Sequence, residues 1–253
     1  MRLFCLTVGK NEAQRYLISM LGNACDVFDA VFFYDDLSTD DTFEIAQAYN
    51  CVAQRRPLDV PSFVENEGAF RWGAWSAFED RCAPRVEDWV LILDCDEVVV
   101  GWASGDAKQL RKALEHAATV AVPNRAIDLR IVEVFGVHRT GTPIVRTDRL
   151  WGTIHAPRFF PYRPNASFAL GRMGVPAVPS YAMMQPWTTT ENLSILHYGY
   201  ADPEDRVAKY QRYTAVANGH SSAHVESILS DDPTFELWDG PVPPMVKATW
   251  LLP

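Results

Sequence analysis

Apolar and polar positions over the first hundred residues alternate between two periods. Leu3–Val8 is a mostly apolar run that reads as a buried strand, Gly9 as a turn, and Glu12–Leu21 as a helix with Tyr16, Leu17, Met20 and Leu21 on one face. Val31–Tyr34 is a second short strand, followed by a helix over Asp41–Tyr49 whose apolar positions are Phe43, Ile45, Ala46 and Tyr49. Trp89-Val-Leu-Ile-Leu93 is a third, with the unbroken apolar character of a strand covered on both faces. The order β-α-β-α-β predicts right-handed crossovers, hence an α/β fold with a mostly parallel central sheet flanked by helices.

Past residue 100 the pattern loosens. Asp106–Ala118 predicts an amphipathic helix, Thr119–Val122 a strand, and Ile127–Val137 a strand pair or one long strand broken near Glu133. Arg158–Tyr162 and Leu193–Tyr198 read as strands, with long loops over residues 163–190. Asp202–Asn218 is a helix with Pro203 at its favoured first position. The tail beyond Ser230 is rich in proline and tryptophan: Pro233, Trp238, Pro241, Pro243, Pro244, Trp250 and Pro253. No repeat is visible, so residues 1–253 are expected to form one domain, 1–100 its regular β-α half and 101–253 its looser half.

Two of the strands end in acids. Asp35 and Asp36 close the second, and Asp94, Asp96 and Glu97 close the third. Open α/β sheets bind ligands just beyond the carboxyl ends of their strands, and acids spaced i, i+2 there suit a hard divalent cation and the phosphates it neutralises. Ser38 and Thr39 offer N-cap hydroxyls to the second helix, and Asp40 and Asp41 favour its positive end.

Lys10-Asn11-Glu12-Ala13, Asp35-Asp36-x-Ser38-Thr39-Asp40-x-Thr42 and Asp94-x-Asp96-Glu97 together resemble the family-2 type of glycosyltransferases with the GT-A fold, in motif order and rough spacing. A fourth match, Gly68-Ala69-Phe70-Arg71-Trp72-Gly73-Ala74, carries Trp72 where family members often have Asn. The resemblance implies a metal-dependent, inverting transfer of sugar from a nucleotide-diphosphate sugar, a UDP-sugar foremost, to an acceptor hydroxyl. It implies Mn²⁺ or Mg²⁺ on Asp96 and on His197, since a late histidine joins the carboxylate motif in several such enzymes. Thr7, Glu12, Asp35, Asp36, Arg71 and Asp94 would line the nucleotide-sugar cleft. An acid well downstream would serve as base, with Glu191 and Asp148 both open.

Composition narrows the setting. The chain has 253 residues, 48% hydrophobic and 22% charged, enough to bury a large core. No stretch approaches the ~18 apolar residues that span a bilayer, and the amino terminus doubles as the first strand, so no integral membrane contact and a cytoplasmic location are expected. Cys5, Cys25, Cys51, Cys82 and Cys95 are scattered and read as packing residues of a reducing compartment. A net charge of −9 opposes non-specific polyanion binding. Arg125, Arg130, Arg139, Arg146, Arg149, Arg158, Arg163 and Arg172 nevertheless form an acid-poor stretch. They could cover internal carboxylates or line a cleft for a polyanionic acceptor.

The acceptor therefore stands between a glycan or other hydroxyl and a hydroxymethylated base of phage-type DNA. A non-catalytic sugar-nucleotide-binding or scaffold protein of the same fold is a further alternative. A nucleotidyltransferase is disfavoured, because Lys10-Asn11-Glu12 stands where a Gly-rich loop would follow the first strand. His155 is a secondary acceptor-side candidate, and His220 and His224 have metal-pair spacing without a third ligand.

Overall fold

The computed structural model describes residues 1–101, 106–148, 151–152, 154–171, 174–215, 222–229, 234–240, 245 and 247. Arg149, Arg172, His220, Pro233, Pro241, Pro243, Pro244, Trp250 and Pro253 lie outside the described residues. Strands are β1 Leu3–Gly9, β2 Ala30–Asp35, β3 Val52–Arg55, β4 Trp89–Asp94, β5 Glu97–Gly101, β6 Ile127–Val137, β7 Pro143–Arg146, β8 Ile154–Pro161, β9 Thr188–His197 and β10 Phe235–Leu237. Helices are α1 Leu17–Cys25, α2 Thr42–Ala48, α3 Glu67–Cys82, α4 Ala107–Val120, α5 Pro203–Ala215 and α6 Ser222–Ser227.

The strands join one sheet in the order β10-β7-β6-β8-β4-β1-β2-β3, with β9 beside β6 and β5 beside β9. β3, β2, β1 and β4 are mutually parallel, as the βαβ pattern requires, and β8 adds antiparallel to β4. The register pairs Gly9 with Asp35 and Val8 with Asp94, which brings the acidic ends of β2 and β4 to one edge of the sheet. On the other side of that edge Glu133 of β6 and Glu97 of β5 both stand opposite His197 of β9.

Successive side chains on a strand face opposite ways, and here both faces are covered. Leu3, Cys5, Val31, Phe33, Leu91 and Leu93 pack with Leu17, Met20, Leu21 and Ala24 of α1 and with Leu110, Leu114 and Ala117 of α4. Phe4, Leu6, Phe32, Tyr34, Val90 and Ile92 pack with Phe70, Ala74, Trp75 and Phe78 of α3. Cys95 is buried, its thiol 3.3 Å from the Val8 carbonyl, and all five cysteines are free.

Several elements differ from the pattern-based expectation. α1 begins at Leu17 rather than near Glu12, because the Glu12 and Ala13 N–H groups donate to Thr42 Oγ1 at 2.7 and 2.9 Å instead of entering a helix. Thr119 and Val120 extend α4 and form no strand. Ile127–Val137 is one continuous strand, with irregular register at Ile127/Leu129 and Val134/Gly136. Helix α3 has no counterpart in the hydrophobic pattern. Its buried residues lie on more than one face, so it lacks a clean amphipathic stripe; Asn66 caps it by accepting from Ala69 N at 3.0 Å.

Candidate active site

The two N-terminal motifs are a single hydrogen-bonded unit. Asn11, in the left-handed conformation (φ 55°) that asparagine tolerates, donates its N–H to Ser38 Oγ at 2.9 Å and accepts from Thr39 N at 2.8 Å. Asp40 accepts from Ala13 N and Thr42 N. Ser38 and Thr39 thus bind the neighbouring loop and do not cap α2, whose first turn follows Asp41.

Asp35 and Asp36 have different roles. Asp36 is consumed internally: one oxygen takes Arg56 Nε at 2.5 Å, the other Phe63 N at 3.1 Å, and Arg56 in turn donates to the Val60 carbonyl. It builds the loop over residues 56–63. Asp35 accepts from Ser38 N at 3.0 Å through Oδ2, while its buried Oδ1 has no partner. An orphaned buried acceptor at this strand end is the feature a nucleoside N–H or hydroxyl would satisfy. Thr7 is fully buried against Cys95, with 3.9 Å between Oγ1 and Sγ, so it packs beneath the cleft. Arg71 is buried and committed to Glu67 at 2.8 Å, with Nη2 3.8 Å from Asp94 Oδ1. Glu67 also accepts from Gly174 N. Asp94 is the more open carboxylate, at 36% side-chain exposure. Glu97 is structural: it accepts from Asp94 N at 2.9 Å and pairs with Arg158 Nη2 at 2.9 Å.

Asp96 lies in the turn between β4 and β5, at the centre of the site. Its Oδ2 is 3.4 Å from His197 Nε2 and 3.4 Å from Lys209 Nζ. Burial would raise the Asp96 carboxyl, but Lys209 and His197 outweigh it and hold the group well below the usual carboxylate range. His197 Nδ1 is 2.6 Å from Glu133 Oε2, and Nε2 is 3.1 Å from Lys209 Nζ. Burial opposes a charge on the ring, while Glu133 and Asp96 favour it strongly. The two acids prevail and hold the ring's pKa well above the ordinary histidine value, so Nε2 becomes a ligand only on giving up its proton. In that neutral form the remaining proton sits on Nδ1, directed at Glu133, and the Nε2 lone pair faces the space beside Asp96 and Lys209. Gly199 completes the enclosure: a Cβ there would collide with Asp96, His197 and Lys209 at once.

Helix α5 delivers Lys209. Asp205 in its first turn pairs with Arg15 at 3.2 Å and with Lys247 at 3.5 Å, and Arg15 also holds Glu12 at 3.1 Å. Glu12 Oε2 is buried without a partner, and burial, offset by Arg15 but reinforced by Asp96 and Asp205, raises its pKa to about 7.

Other expectations fall elsewhere. Glu191 stands on β9 at the opposite end from His197, about 20 Å along an extended strand, beside α4. That distance removes it as a base. Asp148 is ion-paired with Arg146, which stacks on Phe135 and Trp151 at 5.0 Å. His155 binds Asp128 at 3.1 Å, and His224 stacks on Trp151. Arg146 and Arg158 are buried, and Arg163 donates to the Asn124 carbonyl at 2.7 Å. The arginine-rich stretch therefore serves internal carboxylates and carbonyls at these three positions. Among the described residues no three His, Cys, Asp or Glu side chains are grouped to hold a metal. Lys209, Glu133, Gly199 and Arg15 complete the site without standing in any of the sequence motifs, since only the fold brings them to Asp96, His197 and Glu12.

No family model and no curated protein sequence matches the chain. Among solved structures, S. aureus TarS 1–349 aligns over 90% of this chain and 69% of its own, at 15% identity and a TM-score of 0.47. The same fragment in complex with UDP aligns over 91% and 70%, at 17% identity and a TM-score of 0.45. Glucosyl-3-phosphoglycerate synthase from Mycobacterium tuberculosis, crystallised with Mn²⁺, UDP and glucosyl-3-phosphoglycerate, aligns over 38% of this chain and 34% of its own length, at 19% identity and a TM-score of 0.30.

Proposed function

We propose that this protein is a glycosyltransferase of the GT-A type, moving a sugar from a nucleoside-diphosphate sugar to an acceptor hydroxyl with inversion. The observation that carries the reading is the convergence of Asp96 and His197 at 3.4 Å, with the ring oriented by Glu133. Three features support a divalent cation there. The donor set is one carboxylate oxygen and one imidazole lone pair, which suits Mn²⁺ and, less well, Mg²⁺. Gly199 keeps the space between them open. The Lys209 ammonium already stands against both groups, so the pocket stabilises positive charge.

When bound, a divalent ion supplies charge neutralisation to the departing diphosphate. Asp96 and His197 would hold it with two protein ligands. Asp35 Oδ1 would accept from the nucleoside, Asp94 would face the ribose or a ligating water, and Arg71 would keep Asp94 in place. The acceptor is proposed to be a glycan or another small hydroxyl compound. The buried, internally paired Arg146 and Arg158 favour this over DNA. No helix among the described residues is long and apolar enough to cross a membrane.

Nucleotide-sugar screening tests the proposal. Thermal shift with Mn²⁺ should single out one nucleotide, UDP-sugars being tried first. Release of the matching nucleoside diphosphate should then require Asp96, as read from Asp96→Asn. Turnover that is indifferent both to chelator and to Asp96→Asn would remove the metal-dependent reading.

A further inference from the structure

We propose that Lys209 is a tethered cation that holds the Asp96–His197 site until a divalent ion displaces it. The protein then takes up metal only in competition with its own side chain. This rests on the metal reading of Asp96 and His197.

The geometry is that of a seated but loosely bound ion. Lys209 Nζ lies 3.1 Å from His197 Nε2 and 3.4 Å from Asp96 Oδ2, and 4.3 Å above the centre of the Tyr200 ring. Those are the two atoms with lone pairs to offer a metal, plus an aromatic face that favours a cation. The side chain is only 10% exposed, so its stem is packed and the ammonium is aimed rather than waving. The base of α5 is anchored by Asp205 to Arg15 and Lys247. The 3.4 Å separation from its carboxylate partner is long for a charge-assisted hydrogen bond, which leaves the ammonium displaceable. A divalent ion and the ammonium cannot share this space, since at ~3 Å their repulsion in a partly dehydrated site is large. Gly199 allows the arrangement, for any side chain there would fill the position that the ammonium takes. Once displaced, the flexible four-carbon stem can carry the ammonium to anionic oxygens of an arriving diphosphate.

The test is Mn²⁺ binding without nucleotide, read from the paramagnetic resonance of the free ion, for the unaltered protein, Lys209→Met and Lys209→Arg. Lys209→Met should bind Mn²⁺ roughly tenfold tighter or more, and Lys209→Arg should stay near the unaltered protein. Lys209→Gln repeats the measurement should the methionine variant fail to fold, which circular dichroism reports. Adding Asp96→Asn to Lys209→Met should release the ion. If the neutral variants bind through Asp96 no more tightly than the unaltered protein, the tethered-cation proposal fails while the metal reading stands. Binding that persists without Asp96, or no binding by any variant, overturns the metal reading and the tethered cation with it.

Discussion

His197 is held by Glu133: the ring's Nδ1 lies 2.6 Å from Glu133 Oε2, across the register in which these residues face each other on β9 and β6. A carboxylate behind a histidine fixes its tautomer and strengthens its other nitrogen as a ligand, and losing such a partner typically lowers metal affinity 10–100-fold. Glu133→Ala should therefore weaken Mn²⁺ binding by about that factor, and Glu133→Gln, which can still accept from Nδ1–H, by less. Calorimetric titration checks both. Undiminished affinity in Glu133→Ala would remove His197 from the ligand set.

Neighbouring acids at the end of β2 should separate cleanly. Asp35→Asn leaves the chain's own Ser38 contact a possible acceptor but alters the orphaned oxygen, and should cost about 1–3 kcal/mol of UDP affinity with little change in melting. Asp36→Ala strands a buried Arg56 and should instead destabilise the fold by roughly 3–5 kcal/mol. Urea melts and UDP calorimetry on both variants decide it; equal nucleotide loss with equal stability would place the two acids in one role.

Glu12 makes stability depend on pH. Its folded pKa is about 7, above the ordinary 4.5, so between those values the folded protein keeps a proton that the unfolded chain releases. The unfolded state then binds fewer protons, and stability falls as pH rises through this window. The effect is on the order of 3 kcal/mol, nearly complete by about pH 7. Glu12→Gln should flatten this decline in metal-free urea melts between pH 5 and 8. A decline of the same size in the variant would assign it to another group.

Gly199→Ala should damage the site and spare the fold. Gly199 is not among the residues with positive φ, so its backbone admits alanine, and the added methyl meets Lys209, Asp96 and His197 first. Overpacking of this kind costs about 1–3 kcal/mol. Mn²⁺ binding and donor turnover should be lost while circular dichroism stays unchanged. Wild-type turnover in this variant would mean that the three groups do not act together.

The sequence carries the βαβ half well, because β1, β2 and β4 are buried on both faces and their apolar runs are unbroken. It carries the acids at the strand ends too, since composition changes sharply there. It does not carry pairings between distant residues. Nothing in the strand pattern tells that Glu133 and His197 share a register position, or that α5 turns Lys209 onto Asp96. Asp36 looks as functional as Asp35 until Arg56 is seen against it. The arginine-rich stretch stays open between its two readings for the same reason: Arg158 pairs with Glu97, sixty-one residues away. Helix α3 is not legible, because burial on more than one side blurs the helical period.

Gly199 has a use beyond this molecule. A glycine two residues after a histidine, followed by a lysine on the second turn of the next helix, is a short pattern readable in any chain. Joined to an upstream Asp-x-Asp, it gives a fingerprint to search with where overall similarity has faded. Chains that replace the glycine should have lost the lysine as well, since a side chain at one position leaves no room for the other.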